Sequence, residues 1–208
     1  MQDKINKGLG IFILGCLVFF GITAIVNRKQ IKEYKKVFSY GTTPSEIRIY
    51  ETNSSVATRI LDHSMSLIER KQGDLTAVAR VVAEVQTYLR SQGISRYLIH
   101  IGDVITLGDH YQQDQYQVML ENPNDHSLLK IVKCTNRSIV TVKKKIDQKQ
   151  VSVSVIGKDV EEVNRFAQLL ISKTVEDGKK ELPSDADIQV LWYTKDGETI
   201  FYDSKKKS

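Results

Sequence analysis

Cysteine, proline and tryptophan are scarce in this 208-residue chain: it holds two, three and one of them, respectively. Cys16 lies inside an apolar run and Cys134 in a strand-like segment. They make no useful internal bridge, so the fold does not rest on a disulfide. Few prolines leave long stretches free to form ladders and helices. Familiar catalytic signatures are also missing. A G-x-S-x-G elbow would point to a serine hydrolase, and a Walker loop or G-x-G-x-x-G to a nucleotide fold; neither occurs. H-E-x-x-H, the helical zinc pair, is absent too.

A basic patch within the fold is equally lacking. The chain carries 30 basic and 25 acidic residues. Seven of the basic ones (Lys4, Lys7, Arg28, Lys29, Lys32, Lys35 and Lys36) precede residue 37, against Asp3 and Glu33, which leaves 23 of each sign in residues 37–208. Lys205, Lys206 and Lys207 add a basic tail at 205–208. Nucleic-acid domains carry their positive charge in the fold, so no nucleic-acid partner is expected.

What is present begins with residues 9–26, LGIFILGCLVFFGITAIV, eighteen residues without a charge. As an α-helix this run spans roughly 27 Å, about the hydrocarbon thickness of a bilayer. It has no polar face and reads as a single-pass transmembrane helix in contact with membrane lipid, behind a short leader at 1–8. Thr23-Ala24-Ile25 is a poor cleavage site. Ile13-Leu14-Gly15-Cys16 resembles a lipidation box, but ten apolar residues come after it. Residues 27–41 read as a basic juxtamembrane stalk that continues the helix to Gly41. The positive-inside rule, taken literally, holds the domain beyond the stalk in the cytoplasm. Lys4 and Lys7 ahead of the apolar run read instead as an uncleaved signal anchor, which exports the rest of the chain. The expectation is an extracytoplasmic domain at the cell membrane.

Residues 42–204 read as an α+β domain: a mixed or antiparallel sheet with two or three helices packed on one face. It could comprise two α/β modules, about 42–150 and 151–204. Glu46–Glu51 alternates as a strand. A helix capped at Ser54 or Ser55 runs to about Lys71. A second, capped by Asp74, carries the stripe Leu75, Val78, Val82, Val85 and Leu89 and ends at Gly93. Tyr97–Ile101 and Val104–Leu107 flank a tight turn at Gly102-Asp103. Tyr116–Leu120 is a further strand, and Leu128–Cys134 with Ser138–Lys143 reads as a hairpin. Val151, Val153 and Val155 alternate with Ser152 and Ser154 as a strand with one buried face. Asp159 and Glu162 open a helix, closed by Gly178 and Pro183. Asp196-Gly197 sits in a terminal hairpin of type I′.

Clustered polar chemistry is confined to His100, Asp103, Asp109 and His110. These are ligand types suited to zinc, but their spacing sets no ligand pair, and they read as turn and rim residues. No catalytic residue, metal or cofactor is expected. Cys134 with His126 lacks the strained turn or helix start that activates a thiol. Lys143, Lys144, Lys145 and Lys149 bracket a turn and are the candidates for polyanion contact. The function expected on these grounds is a membrane-anchored, non-catalytic interaction or assembly module of a bacterial cell-envelope complex, with protein partners at the membrane. The alternatives are a metal-assisted hydrolase using the His100–His110 region, and a domain that binds anionic cell-wall or lipid polymer through its lysine loops.

Reporter fusions at Ser208 test the orientation. The signal-anchor reading expects activity from a reporter that works only outside the cytoplasm. Activity solely from a cytoplasm-dependent reporter would show that the five basic residues after Val26 set the topology.

Overall fold

The computed structural model describes residues 30–71, 77–112, 114–183 and 186–206. The apolar run at 9–26, and Asp74 and Leu75 of the second expected helix, lie outside the described residues. Among the described residues no helix is long and apolar enough to cross a membrane.

The chain runs β1 (Lys32–Tyr40), β2 (Thr43–Glu51), α1 (Ser54–Glu69), α2 (Val78–Ser91), β3 (Tyr97–Ile101), β4 (Val104–Leu107), β5 (Tyr116–Glu121), β6 (Leu128–Cys134), β7 (Ser138–Ile146), β8 (Lys149–Gly157), α3 (Val160–Leu170), α4 (Val175–Glu181), β9 (Gln189–Tyr193) and β10 (Thr199–Asp203). Eight strands form one sheet in the order β1-β2-β3-β4-β7-β8-β9-β10, and β5 and β6 form a separate pair. From β2 to β10 every neighbouring pair is antiparallel.

Each face of the sheet is covered differently. Ile47, Ile49, Ile99, Ile101, Val153, Val155 and Trp192 pack against the apolar stripes of the helices, including Ala57 and Ile60 of α1, Val82 and Leu89 of α2, and Val163 and Phe166 of α3. Leu107, Ile139, Ile156 and Leu191 face the other way, onto Tyr116, Val118, Leu120 and Val132 of the β5–β6 pair. The α+β class and the antiparallel sheet are as expected, but the described residues hold four helices in place of two or three, and the β5–β6 pair is the second cover. Ser152 and Ser154 are buried as well, which corrects the reading of β8 as a strand with one wet face. Thr141 Oγ1 and Ser154 Oγ lie 2.8 Å apart, and such cross-strand bonding is what permits a hydroxyl row to be buried.

Several local expectations are corrected. Residues 32–40 are strand β1, not a continuing helix; Val37, Phe38 and Ser39 suit a pleated edge, and the lysines keep that edge charged. The cap of α1 is Asn53, whose side chain accepts from the Ser55 and Val56 amides. β6 pairs with β5, and β7 with β8, so 128–134 and 138–143 are not one hairpin. Gly178 lies inside α4 instead of ending α3. The type I′ turn is also elsewhere. Asp147 and Gln148 both have positive φ, 47° and 71°, between the paired residues Ile146 and Lys149. At the terminal hairpin Gly197 alone is left-handed, at 84°. The Gly197 amide donates to the Thr194 carbonyl and the Thr194 amide to that of Glu198, the pattern of a three-residue loop with a glycine bulge.

Two contacts tie the ends of the sheet. Tyr40 is 1% exposed, and its hydroxyl donates to the Lys71 carbonyl at 2.6 Å. At the start of β9, Asp187 Oδ2 lies 2.6 Å from Arg137 Nη2 and 2.9 Å from Lys205 Nζ. Burial works against ionisation of Asp187, but the hydrogen bonds from Arg137 and Lys205 outweigh it and hold the carboxyl below its ordinary range.

Replacing Tyr40 by Ala should cost about 3 kcal/mol, by analogy with other buried aromatic truncations, and a chain beginning at Thr42 should unfold at lower urea than one beginning at Gln30. Equal midpoints would mean that β1 adds nothing to the fold. Asp187→Asn gives a second test. The depressed carboxyl contributes stability above the unfolded carboxylate value of about 3.9, and that contribution is lost as pH falls through the lower folded value. The wild type should therefore exceed the variant in stability at pH 7, with the gap closing below about pH 4. A gap unchanged down to pH 2 would exclude the charge as its source.

Candidate functional site

A groove of about 520 Å³ opens on the helix side of the sheet, within the range of roughly 300–1,000 Å³ common for small-molecule sites. Its floor is Ile101, Val104, Val140 and Val142, and one wall is Val78 and Ala79 at the start of α2. Val140 lies directly across from Val104, so two neighbouring strands present a flat apolar surface. Asn164 and Gln168 of α3 line the opposite wall. Four residues apart, they share one helix face. Gly102, Asp103, Thr141 and Lys143 close the third side, and Tyr40 and Thr43 close the end.

The β3–β4 turn that forms this rim is held from three directions. Ile101 pairs with Val104 across Gly102-Asp103, as the tight turn expected from the sequence. His100 Nε2 lies 2.8 Å from the Gly102 carbonyl; a carbonyl only accepts, so Nε2 carries the proton. The Asp103 carbonyl accepts from the Thr141 amide at 2.9 Å. The Asp103 carboxylate meets Lys143 Nζ at 2.8 Å. Here a flat apolar floor is flanked by amides that both donate and accept, with an ion pair at the edge. That combination suits a planar ligand with polar ring edges and an anionic substituent.

Of the metal candidates weighed from the sequence, His100 and Asp103 belong to this turn, and Asp109 and His110 do not. Asp109 accepts from Asn136 Nδ2 at 2.6 Å, and the hydrogen bonds from Asn136 and Ser95 hold its carboxyl below the ordinary range. His110 packs against Tyr111 and, edge-on, Tyr116, with centroids 4.9 and 4.8 Å away. Among the described residues no three His, Cys, Asp or Glu side chains converge as metal ligands. Cys134 is buried, and burial raises its thiol to about 11. The strand separates the four lysines expected to form one polyanion surface: Lys144 alternates to the face opposite Lys143 and Lys145. Lys149 Nζ donates to the Lys195 carbonyl at 3.4 Å. Tyr40, Thr43, Val140, Val142, Asn164 and Gln168 are site residues that sequence reasoning missed. The available signal was Asn164 and Gln168, two amides one turn apart on an otherwise charged helix face.

The groove and the sheet beneath it define a class: an α+β domain with a large antiparallel sheet and a groove on its helix side. The ApbE family model matches residues 22–144, more than half of the chain, and the chain belongs to the ApbE family. A search of curated proteins finds no sequence match. Among solved structures, the flavin transferase ApbE of Vibrio cholerae is 15% identical, with a TM-score of 0.62, over 85% of this chain and 98% of that one. A point mutant of it gives 15%, 0.60, 84% and 98%. The apo flavinyl transferase ApbE of Pseudomonas stutzeri is 10% identical, with a TM-score of 0.65, over 86% and 96%. Family membership overturns the expectation of a non-catalytic assembly module, along with its hydrolase and polymer-binding alternatives. Those readings rested on missing motifs, and a site made of valines, amides and a turn leaves no such motif.

Proposed function

We propose that this protein is a flavin transferase whose flavin seat is the groove between α2, α3 and the β3–β4 turn. The observation that carries this reading is positional. The stretch matched by the family model supplies every groove residue named above except Asn164 and Gln168. In this reading the isoalloxazine rings lie on Val104, Val140 and Val142, where burying a flat apolar face is favourable. Asn164 and Gln168 pair with the donors and acceptors of the ring edge. Lys143 meets a phosphate of the flavin nucleotide, and Asp103 keeps Lys143 charged and oriented when that phosphate is absent. The flavin-bearing group is the cargo, and the protein positions it against an acceptor and neutralises its charge. In the same reading residues 9–26 anchor the chain in membrane lipid as a single pass, with the domain outside the cytoplasm and its acceptor among proteins at that membrane.

Flavin mononucleotide and flavin adenine dinucleotide, titrated into the purified chain, should bind with quenched flavin fluorescence. Losing two ring-edge hydrogen bonds in Asn164→Ala/Gln168→Ala should weaken binding about tenfold. In cells that express the chain, denaturing gels should show flavin-fluorescent protein bands that disappear with the gene and fade in Lys143→Met. Binding without such bands would leave the groove as a flavin seat and remove the transfer reaction. No binding at all would remove both.

A further inference from the structure

A second cavity, of about 400 Å³, lies on the helix side of the sheet beside the end of α3 and the start of α4. It shares no lining residue with the flavin groove. Its apolar lining comes from Val151 and Val153 of β8, Leu170, Val175 and Trp192. Trp192 is the chain's single tryptophan and is 3% exposed. Its indole Nε1 is buried with no acceptor among the described residues, and buried donors are ordinarily satisfied. The ring is tightly held. A Cβ on Gly178 would lie 3.2 Å from Trp192 Cζ2 and 3.1 Å from Leu170 Cδ2, so α4 packs closely over the indole at a residue without a side chain.

The rim is basic. Lys144, Lys173 and Lys195 line it with one carboxylate, Asp196. Lys173 is paired with Glu181, whereas Lys144 and Lys195 form no ion pair among the described residues. Apolar walls, one unmet donor at a fixed ring and two uncommitted cations at the mouth together specify a ligand. We propose that this cavity binds a small flat heteroaromatic carboxylic acid. Its ring packs on Val151, Val153 and Leu170, a ring acceptor takes the Trp192 N–H, and its carboxylate faces Lys144 and Lys195. The site is separate from the flavin seat and does not depend on the proposed transfer reaction.

The test uses the full-length chain in detergent-free lipid nanodiscs and labelled with ¹⁵N, in which Trp192, the single tryptophan, gives the lone indole N–H resonance. Quinoline-6-carboxylate carries both the ring acceptor and the acid; 2-naphthoate has the same shape without the acceptor, and quinoline lacks the acid. Quinoline-6-carboxylate should move the indole resonance saturably and downfield. It should bind about tenfold more tightly than 2-naphthoate, as expected for one buried hydrogen bond, and more tightly than quinoline. Lys144→Glu/Lys195→Glu, both exposed positions that leave the core intact, should weaken it at least tenfold while flavin binding stays unchanged. An unmoved resonance would overturn the proposal, as would equal affinity for the acid and 2-naphthoate or indifference to the lysine changes. Competition by flavin mononucleotide at the same resonance would also overturn it, by merging the two sites.

Discussion

The half of the β7–β8 ladder from Ser138 to Val140, opposite Val155 to Gly157, is buried on both faces, and the rest of the architecture depends on it. Nine residue pairs, from Ser138 with Gly157 to Ile146 with Lys149, hold the whole ladder together. On one side Val140, Val153 and Val155 meet the helices; on the other Ile139 and Ile156 meet the β5–β6 pair. A strand pair covered twice cannot sit at an edge, so the shorter strands add outward from it. Both concavities rest on it as well: Val140 and Val142 line the groove beside the β3–β4 turn, and Lys144 and Ile146 line the second cavity.

Flat layers of this kind leave space where covering elements diverge. The groove forms where the start of α2 and the face of α3 part above the β3–β4 turn. The turn is not free to close over the gap, because His100, Thr141 and Lys143 each hold one of its atoms. That is a preorganised rim, of the sort that lowers the cost of ordering a ligand. At the other end of α3 the helix stops at Leu170, and α4 restarts five residues later with Thr174 capping it. The break opens the space beside Trp192.

Site chemistry was hard to see in the sequence because it is spread over many elements. Val78, Gly102, Val140 and Asn164 become neighbours only when α2, the β3–β4 turn, β7 and α3 converge. None of them belongs to a residue type that advertises reactivity. His100 and Asp103 did stand out as polar residues near a turn, and both do shape the rim, His100 by fixing a carbonyl and Asp103 by orienting Lys143. Neither meets Asp109 or His110, which the chain carries away toward Asn136 and the tyrosines.

The sequence by itself determined the pieces governed by local physics. Helical stripes such as Val78, Val82, Val85 and Leu89 marked α2, Asp159 marked the start of α3, and the alternation in 46–51 and 97–107 marked strands, because side-chain period and capping act within a few residues. The tertiary structure alone decided which strands pair and which faces are dry. Ser152 and Ser154 are polar and should face water, yet both are buried in the folded sheet, Ser154 with Thr141 as a hydroxyl partner. Residues 32–40 are basic and come after an apolar run, so they looked helical; an open position beside β2 makes them a strand. Asp-Gly took a bulged loop and Asp147-Gln148 the type I′ turn, since the register of the long β7–β8 ladder leaves two residues for its turn and tolerates their left-handed backbone. Pairing, cover and register are sums over distant contacts, and local sequence carries no record of them.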